Sequence, residues 1–275
     1  GTTTATTTLT FTGLVGSETL GQTVASTFDN KNVGTGKTVT VNSITLANGS
    51  NGGLAANYSI SPGQTTTANV TAKALTVSGI TASNKTYDAN AVATLDATSV
   101  AYTGKINGDD FNGTYTGAFS DKNVDTGKTV TITPSYTGAD VSNYSVTDHA
   151  TITADITAKA LTVSGITALN KGYDGNATAT LNTSLINYGG LVSGDNLTGS
   201  YSGVFANANV ANGKTVTITS VYGGTDLNNY SITDQASTTA NITKRALVLS
   251  TFSASDKIYD GNNTCLLYTS PSPRD

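Results

Sequence analysis

The chain has 275 residues and a formal net charge of −4, and only 12% of its residues are charged. With one His, one Cys and no Met, it cannot assemble the imidazole or thiol clusters that zinc sites, His-based catalysts and Cys nucleophiles require. Its 14 Lys and Arg residues provide too little positive charge for a nucleic-acid backbone. We therefore expect neither an enzyme nor a nucleic-acid-binding protein.

The predicted elements are β-strands throughout. Thr, Val and Ile are abundant, and β-branched residues favour strands over helices. Apolar residues alternate with polar ones in several segments, for example Leu75/Val77, Val130/Ile132, Tyr144/Val146 and Ile152/Ala154/Ile156. This period of two predicts half-buried antiparallel strands. No segment approaches the roughly 20 apolar residues that a transmembrane helix needs, so we expect no membrane span.

A repeat of 86 residues organises the sequence. The segment Ala72–Ala82 recurs identically as Ala158–Ala168, and it recurs in altered form from Thr243. The block Lys31–Thr40 returns with one substitution as Lys122–Thr131, at an offset of 91 residues, because the first copy has five extra residues between this block and Asn57. Repetition in constant phase indicates a tandem array of small modules.

The repeat divides the chain into five parts. We predict a partial module over residues 1–72 that lacks its first strand, full modules over 73–158 and 159–244, the start of a fourth module over 245–264, and a tail over 265–275. The tail breaks the repeat, holds the only Cys and resembles the translation of a sequencing adapter. We therefore expect it to be non-native.

Each full module is expected to be a small β-sandwich of the immunoglobulin-like type. Turns rich in Gly, Asn and Asp separate about seven short strands per repeat, which is typical of sandwiches. A small β-grasp-like module is the alternative, because alternation does not define topology. The copies meet at Ile156–Leu161 without a flexible linker, so we expect an elongated array.

Tyr-Asp pairs are the best-marked candidate binding residues: Tyr87, Asp88, Tyr173, Asp174, Tyr259 and Asp260. A tyrosine ring can stack on a sugar while the carboxylate accepts hydrogen bonds from its hydroxyl groups. In a purely structural role, the ring would anchor a strand end and the aspartate would satisfy turn N–H groups. We favour the structural role, because a residue that every module needs for folding recurs for that reason alone.

Recurrent loop acids are candidate calcium ligands at the module junctions: Asp109/Asp195, Asp140/Asp226 and Asp148/Asp234. Oxygen ligands of this kind suit Ca²⁺. No loop has the dense Asp-x-Asp-x-Asp-Gly pattern of a strong calcium site. We therefore expect solvated turn acids and no cofactor, with calcium at the junctions as the alternative.

The motif Lys-x-Tyr-Asp-Gly-Asn occurs at Lys171–Asn176 and Lys257–Asn262, after a strand of the Lys-Ala-Leu-Thr-Val type. With its regular spacing, it resembles the YDG-type repeat of large bacterial surface proteins, mostly haemagglutinin-like adhesins. The second copy carries Ala89 where the motif has Gly. That substitution predicts that the position does not need a left-handed backbone.

The resemblance implies an extracellular, β-rich stalk module of a bacterial cell-surface adhesin. Modules of this kind project a distal binding domain, and a host glycan or surface protein would be contacted through other parts of the parent chain. The resemblance supplies no catalytic or metal-binding residue. The alternative is a set of modules that each bind a glycan or host protein weakly and gain strength by multivalency.

Overall fold

The computed structural model describes residues 2–254, 256–261 and 263, and this part of the chain is all-β. Its helical segments are three single 3₁₀ turns, at Ala55–Asn57, Val141–Asn143 and Leu227–Asn229. The predicted all-β class is confirmed. None of the helices in these ranges has the length and apolar character needed to span a membrane. The tail predicted over 265–275 lies outside the described residues.

The described chain forms two compact units. The first holds the residues through Ala160 together with Val192–Asn196 and Thr225–Ser231. The second holds Leu161–Leu191, Leu197–Gly224 and the described residues from Ile232. The first unit therefore contains the first two repeats, the first two residues of the third repeat, and two further short segments of it.

The first repeat forms one antiparallel sheet in the order β1-β2-β3-β4. Its strands are β1 (Thr4–Ala5), β2 (Leu20–Phe28), β3 (Gly34–Asn48) and β4 (Thr65–Val70). Val39 and Val41, two positions apart on β3, are both buried. Alternation thus defines the buried face here, as the sequence predicts.

The second repeat builds three sheets in the first unit. Its strands are β5 (Lys73–Ser78), β6 (Thr81–Ala82), β7 (Lys85–Thr86), β8 (Val92–Ala93), β9 (Leu95–Asp96), β10 (Ala101–Thr103), β11 (Asn112–Phe119), β12 (Asp125–Thr137), β13 (Tyr144–Thr147) and β14 (Thr151–Thr157). The sheet orders are β10-β5-β13, β7-β14-β12-β11-β8 and β6-β9. Leu75 and Val77 of β5 share one buried cluster with Ile132 of β12, so the two larger sheets enclose a common core.

Two strand pairs in this repeat are parallel. β13 pairs with β5 through Tyr144 and Lys73, and β14 pairs with β7 through Ile156 and Lys85. The prediction of antiparallel strands is wrong for these pairs. Alternation reports which face of a strand is buried, and it carries no information about the direction of the neighbouring strand.

The third repeat has the same sheet orders, β20-β15-β23, β17-β24-β22-β21-β18 and β16-β19. Its strands are β15 (Lys159–Ser164), β16 (Thr167–Ala168), β17 (Lys171–Gly172), β18 (Thr178–Ala179), β19 (Leu181–Asn182), β20 (Asn187–Gly189), β21 (Thr198–Phe205), β22 (Ala211–Gly223), β23 (Tyr230–Thr233) and β24 (Ser237–Thr243). Ala179, Phe205, Val216 and Ile242 lie in its own buried cluster.

The segment after β24 lies where the start of a fourth module is predicted, and that module stays a prediction. Leu247, Val248 and Leu249 are exposed and belong to no strand. In the second repeat, the equivalent strand β5 is held between β10 and β13. A strand without partners has no stability of its own in water, and the described residues of this segment are exposed.

Candidate functional site

The Tyr-Asp pairs lie in loops that a lysine closes. Lys85 Nζ donates hydrogen bonds to the backbone oxygens of Asn90, at 3.0 Å, and Val92, at 3.2 Å, and it lies 2.6 Å from Asp88 Oδ1. The Asp88 carboxylate also accepts a hydrogen bond from the Asn90 N–H. One lysine and one aspartate therefore fix the loop that presents Tyr87.

The third repeat builds the same loop. Lys171 Nζ donates to the backbone oxygens of Asn176, at 3.0 Å, and Thr178, at 3.1 Å, and it lies 2.8 Å from Asp174 Oδ1. The hydrogen bond from Lys171 is the main cause of the lowered pKa of Asp174. The loop carrying Tyr259 has the same Lys257–Asp260 bridge, at 2.8 Å. Each aspartate thus binds the lysine of its own loop.

The residue after the aspartate has a left-handed backbone in all three loops. The φ angles are +64° at Ala89, +82° at Gly175 and +77° at Gly261. The prediction that this position does not need such a backbone is wrong. Ala89 adopts it against the steric preference of an L-residue, because the lysine contacts fix the loop whichever residue is present.

The three tyrosines of the motif differ sharply in burial. Tyr87 is 1% exposed, Tyr173 is 42% exposed and Tyr259 is 92% exposed. Only an exposed ring can contact a soluble ligand. A binding role would therefore fall on Tyr173 or Tyr259, and it stays a prediction.

Tyr87 is buried against residues from outside its own loop. Its ring meets the ring of Tyr230 edge to face, with centroids 5.6 Å apart, and Lys122 Nζ lies 5.8 Å from its centroid. Burial is the main cause of the raised pKa of Tyr87. Its buried hydroxyl lies near Lys122 and Asp195, although it makes no hydrogen bond of normal geometry in the described structure. The ring is thus held by aromatic and cation–π contacts.

These contacts belong to a polar cluster in the first unit, the second-junction cluster, defined as Lys122, Val124, Asp195, Asp226, Asn229 and Tyr230. Lys122 Nζ lies 2.9 Å from Asp226 Oδ1 and 3.4 Å from Asp195 Oδ1. The Val124 N–H donates to Asn229 Oδ1 at 2.9 Å. The cluster therefore binds a loop of the second repeat to two short segments of the third.

Tyr230 and Asp195 form the buried side of this cluster. The Tyr230 hydroxyl donates to Asp195 Oδ2 at 2.6 Å and accepts a hydrogen bond from the Val192 N–H at 2.9 Å. Burial, followed by the bond to Asp195, raises the pKa of Tyr230 to about 12. The pKa of Asp226 is lowered by the Asn196 N–H and by Lys122. The cluster is therefore held with a charged Asp226 carboxylate and a neutral Tyr230 phenol near neutral pH.

The first and second repeats are joined in the same way, by the first-junction cluster, defined as Lys31, Val33, Asp109, Asp140, Asn143 and Tyr144. Lys31 Nζ lies 2.7 Å from Asp140 Oδ1 and 3.3 Å from Asp109 Oδ1. The Val33 N–H donates to Asn143 Oδ1 at 2.9 Å, and the Tyr144 hydroxyl donates to Asp109 Oδ2 at 2.7 Å.

Sequence reasoning found the recurrent lysine block and the recurrent acids, but it did not predict that they contact each other at the junctions. Lys31 and Lys122 recur at an offset of 91 residues, whereas Asp140 and Asp226 recur at 86. The signal that could have linked them is that a lysine block and an acid block recur together. The sequence does not show that the lysine of one repeat contacts the acids of the next.

The recurrent acids bind protein donors. At the first junction Lys31 binds Asp109 and Asp140, and at the second Lys122 binds Asp195 and Asp226. The hydroxyl groups of Tyr136 and Tyr222 donate hydrogen bonds to the remaining two acids, Asp148 and Asp234. The described residues contain no group of three or more His, Cys, Asp or Glu side chains that could hold a metal ion. Calcium at the junctions stays a prediction.

Comparison with known proteins gives one finding. A family model described as the YDG domain matches residues 1–68, 71–154 and 157–240. No curated protein and no solved structure matches the chain. The three matches follow one another in tandem and together cover most of the sequence.

Proposed function

The chain belongs to the YDG domain family, and on this premise we propose that its repeats are structural spacers of a bacterial extracellular adhesin. In this role they project a binding domain from the cell surface. The proposal needs no catalytic group and no cofactor. Any host glycan or surface protein would be bound by other parts of the parent protein.

The observation that carries the proposal is the repeated junction. At both junctions a lysine meets two aspartates, and a backbone N–H meets an asparagine of the following repeat. Contacts of one kind at successive boundaries are what a tandem array needs to grow by adding repeats. They support a spacer, whose useful property is the fixed placement of its ends.

For the finer architecture we propose a small sandwich in each full repeat, as in immunoglobulin-like modules. It is supported by the buried cluster that joins β5 to β12 across two sheets. The parallel pairs β13–β5 and β14–β7 depart from the antiparallel sheets of immunoglobulin domains. A β-grasp-like module is the alternative that such mixed sheets would suit.

Changing the number of repeats on living cells tests the spacer role. Antibodies against the chain should label intact bacteria that produce the parent protein. Adhesion should fall when full repeats are deleted and should be insensitive to Tyr173→Ala. Small-angle scattering of the purified chain should show an elongated particle without free hinging. Labelling only after lysis, or a compact or freely hinged particle, would contradict the proposal.

Multivalent weak binding is the alternative function, and the exposure of Tyr173 favours it. The next residue, Asp174, has a side chain that is 45% exposed. A glycan array probed with the chain and with Tyr173→Ala separates the two functions. Binding that is lost in Tyr173→Ala but kept in Leu185→Ala, an exposed position of the same repeat, would favour the alternative.

A further inference from the structure

Three half-buried tyrosines pack on the core of the second repeat: Tyr102 on β10, Tyr115 on β11 and Tyr136 on β12. All three contact the buried cluster that contains Leu75 and Ile132. The rings of Tyr115 and Tyr136 meet edge to face, with centroids 6.3 Å apart. The tyrosines therefore form a row that begins on the three-stranded sheet and continues on the five-stranded sheet.

The hydroxyl groups of Tyr102 and Tyr115 meet in this row. Their oxygens lie 3.0 Å apart, which is the distance of a hydrogen bond. Gly113 provides the space for them, because a Cβ at that position would lie 2.7 Å from the Tyr102 hydroxyl and closer still to the Tyr115 hydroxyl. Any larger residue would push the two hydroxyl groups apart. The absence of a side chain at Gly113 thus lets the two phenols lie end to end.

The other end of the row has a proton acceptor. The Tyr136 hydroxyl donates to Asp148 Oδ1 at 2.5 Å, and Asp148 is exposed to solvent. A phenol that loses an electron becomes strongly acidic, so its proton would pass to this carboxylate. The ring contact between Tyr136 and Tyr115 then lets an electron pass from Tyr115 to the Tyr136 radical. An oxidant at the surface can therefore oxidise the half-buried pair.

The third repeat, in the other compact unit, builds the same arrangement from four residues: Tyr188, Tyr201, Tyr222 and Asp234. The hydroxyl oxygens of Tyr188 and Tyr201 lie 2.9 Å apart, and Gly199 leaves the space for them. The ring centroids of Tyr201 and Tyr222 are 6.1 Å apart, and the Tyr222 hydroxyl donates to Asp234. Both full repeats thus hold a hydrogen-bonded tyrosine pair with a third tyrosine and a carboxylate behind it.

We propose that the pairs Tyr102–Tyr115 and Tyr188–Tyr201 are oxidative cross-linking sites, at which a one-electron oxidant converts two neighbouring tyrosines to dityrosine. Each cross-link joins the three-stranded sheet of a repeat to its five-stranded sheet. It therefore ties the two layers around one core together covalently. The chemistry takes place inside a single repeat, so failure of the spacer role would leave these sites unaffected.

The reaction removes two electrons and two protons from each pair. The oxidant takes one electron from each phenol, and each phenol releases its hydroxyl proton, which leaves two phenoxyl radicals. A carbon–carbon bond forms between the ring carbons next to the two hydroxyl-bearing carbons, and the hydrogen on each bonded carbon moves as a proton to restore the hydroxyl group. The two electrons reduce the oxidant: persulfate becomes two sulfate ions, and hydrogen peroxide acting through a haem peroxidase becomes two water molecules.

Photo-oxidation of the full chain with tris-bipyridyl ruthenium and persulfate tests the proposal. The monomer fraction is isolated, which removes links between chains, and it is then digested with trypsin. Cleavage after Lys105 separates Tyr102 from Tyr115, so we expect peptide 86–105 joined to peptide 106–122, with a mass two hydrogens below their sum. Fragmentation of this species should place the new bond on Tyr102 and Tyr115.

Each full repeat is the control for the other. Tyr102→Phe keeps the half-buried ring but removes the phenol, so it should abolish the link in the second repeat. The same variant should keep the Tyr188–Tyr201 link, seen as the loss of two hydrogens within peptide 172–214. Tyr188→Phe should give the reverse result. Links that persist in these variants, or that fall on other tyrosines as often as on the two pairs, would overturn the proposal.

Thermal unfolding tests whether the new bonds join the two sheets. The oxidised monomer should melt roughly 10 °C above the untreated chain, because a covalent bond that closes a loop of this size restricts the unfolded state. The double variant Tyr102→Phe with Tyr188→Phe, oxidised in the same way, controls for damage elsewhere and should show no rise. An oxidised wild-type chain that melts no higher than this double variant would contradict a link between the sheets.

Discussion

The loops Lys85–Asn90 and Lys171–Asn176 have the same internal contacts and bury their tyrosines to very different extents. In each, the lysine binds the aspartate and the asparagine backbone oxygen of its own loop, and the backbone oxygen two residues after that asparagine. Yet Tyr87 is buried while Tyr173 is largely accessible. The loop conformation is therefore determined locally, whereas the burial of the tyrosine depends on the second-junction cluster.

This difference separates two properties that a single recurring motif combines. The lysine and aspartate build the loop, and a neighbouring repeat makes use of the ring. The third repeat also carries Ala208 where the first and second repeats have Lys31 and Lys122. Copies of one module thus differ in the residues that contact a neighbour while they keep the residues that fold the loop.

Replacing each of the two tyrosines by alanine should give the largest difference in stability between the two loops. Tyr87→Ala removes a fully buried ring and should lower the free energy of unfolding by about 3 kcal/mol. Tyr173→Ala should change it by less than about 1 kcal/mol, because much of that ring is in solvent. Urea titrations followed by the amide signals of β12 and β22 measure each change in its own repeat. Equal losses for the two variants would contradict the assigned burial.

The asparagine of the junction gives the next largest effect. Asn229 is 3% exposed and accepts the Val124 N–H, so Asn229→Ala leaves that donor unpaired and should cost about 2 kcal/mol. Asn57, the equivalent residue of the first repeat, is exposed, and Asn57→Ala should be close to neutral. Hydrogen exchange of the Val124 amide should accelerate only in Asn229→Ala; unchanged protection would contradict the contact.

The left-handed position in the two loops gives a smaller and more local effect. Gly175→Ala should cost about 1 kcal/mol through backbone strain alone, because no atom lies within 4 Å of the added Cβ. Ala89→Gly should stabilise the chain by less than that, since glycine also gains entropy in the unfolded state. Thermal unfolding of both variants measures whether each is less or more stable than the wild type. A destabilising Ala89→Gly would show that Ala89 makes contacts that outweigh its strain.

The smallest effect is the pH dependence of the Lys122 contacts. The pKa of Asp226 is lowered in the folded chain, so its contribution is present above the unfolded pKa of about 4 and is lost as the pH falls through the folded value. The raised pKa of Lys122 gives a contribution that is lost only at strongly alkaline pH.

Lys122→Met should therefore be less stable than the wild type at pH 7, and the difference should shrink as the pH falls below about 4. Lys244→Met, at an exposed position after β24, is the control and should show neither effect. Urea midpoints across the pH range provide the measurement. A constant difference between wild type and Lys122→Met would argue against an ionic contact.

Much of the strand pattern could be predicted from the sequence, because local alternation reflects burial directly. Val130 and Ile132 are buried two positions apart, as predicted. The parallel partner of Tyr144 could not be predicted, since strand direction depends on residues far away in the chain. The same holds for Leu247, whose pattern matches that of the buried Leu75 but which is exposed and belongs to no strand in the described part of the chain.

The candidate site was predictable only in part. The motif marks Tyr87 and Asp88 in the sequence. The environment of Tyr87, however, comes from contacts with Lys122 and Tyr230 that no local spacing encodes. The left-handed backbone of Ala89 could not be predicted from the sequence either. Alanine disfavours this conformation, and it is the lysine-closed loop that imposes it. Local chemistry thus indicates the loop, and only the tertiary structure shows what its ring contacts.

Nitration of the folded chain by tetranitromethane, with the modified tyrosines identified by peptide mass spectrometry, tests the central claim most directly. Tyr173 and Tyr259 should be nitrated readily, and Tyr87 should be protected until the second-junction cluster is opened by Lys122→Met with Asn229→Ala. If Tyr87 in the wild-type chain reacts as fast as Tyr173, the tyrosine is not held by the neighbouring repeat and the account is wrong.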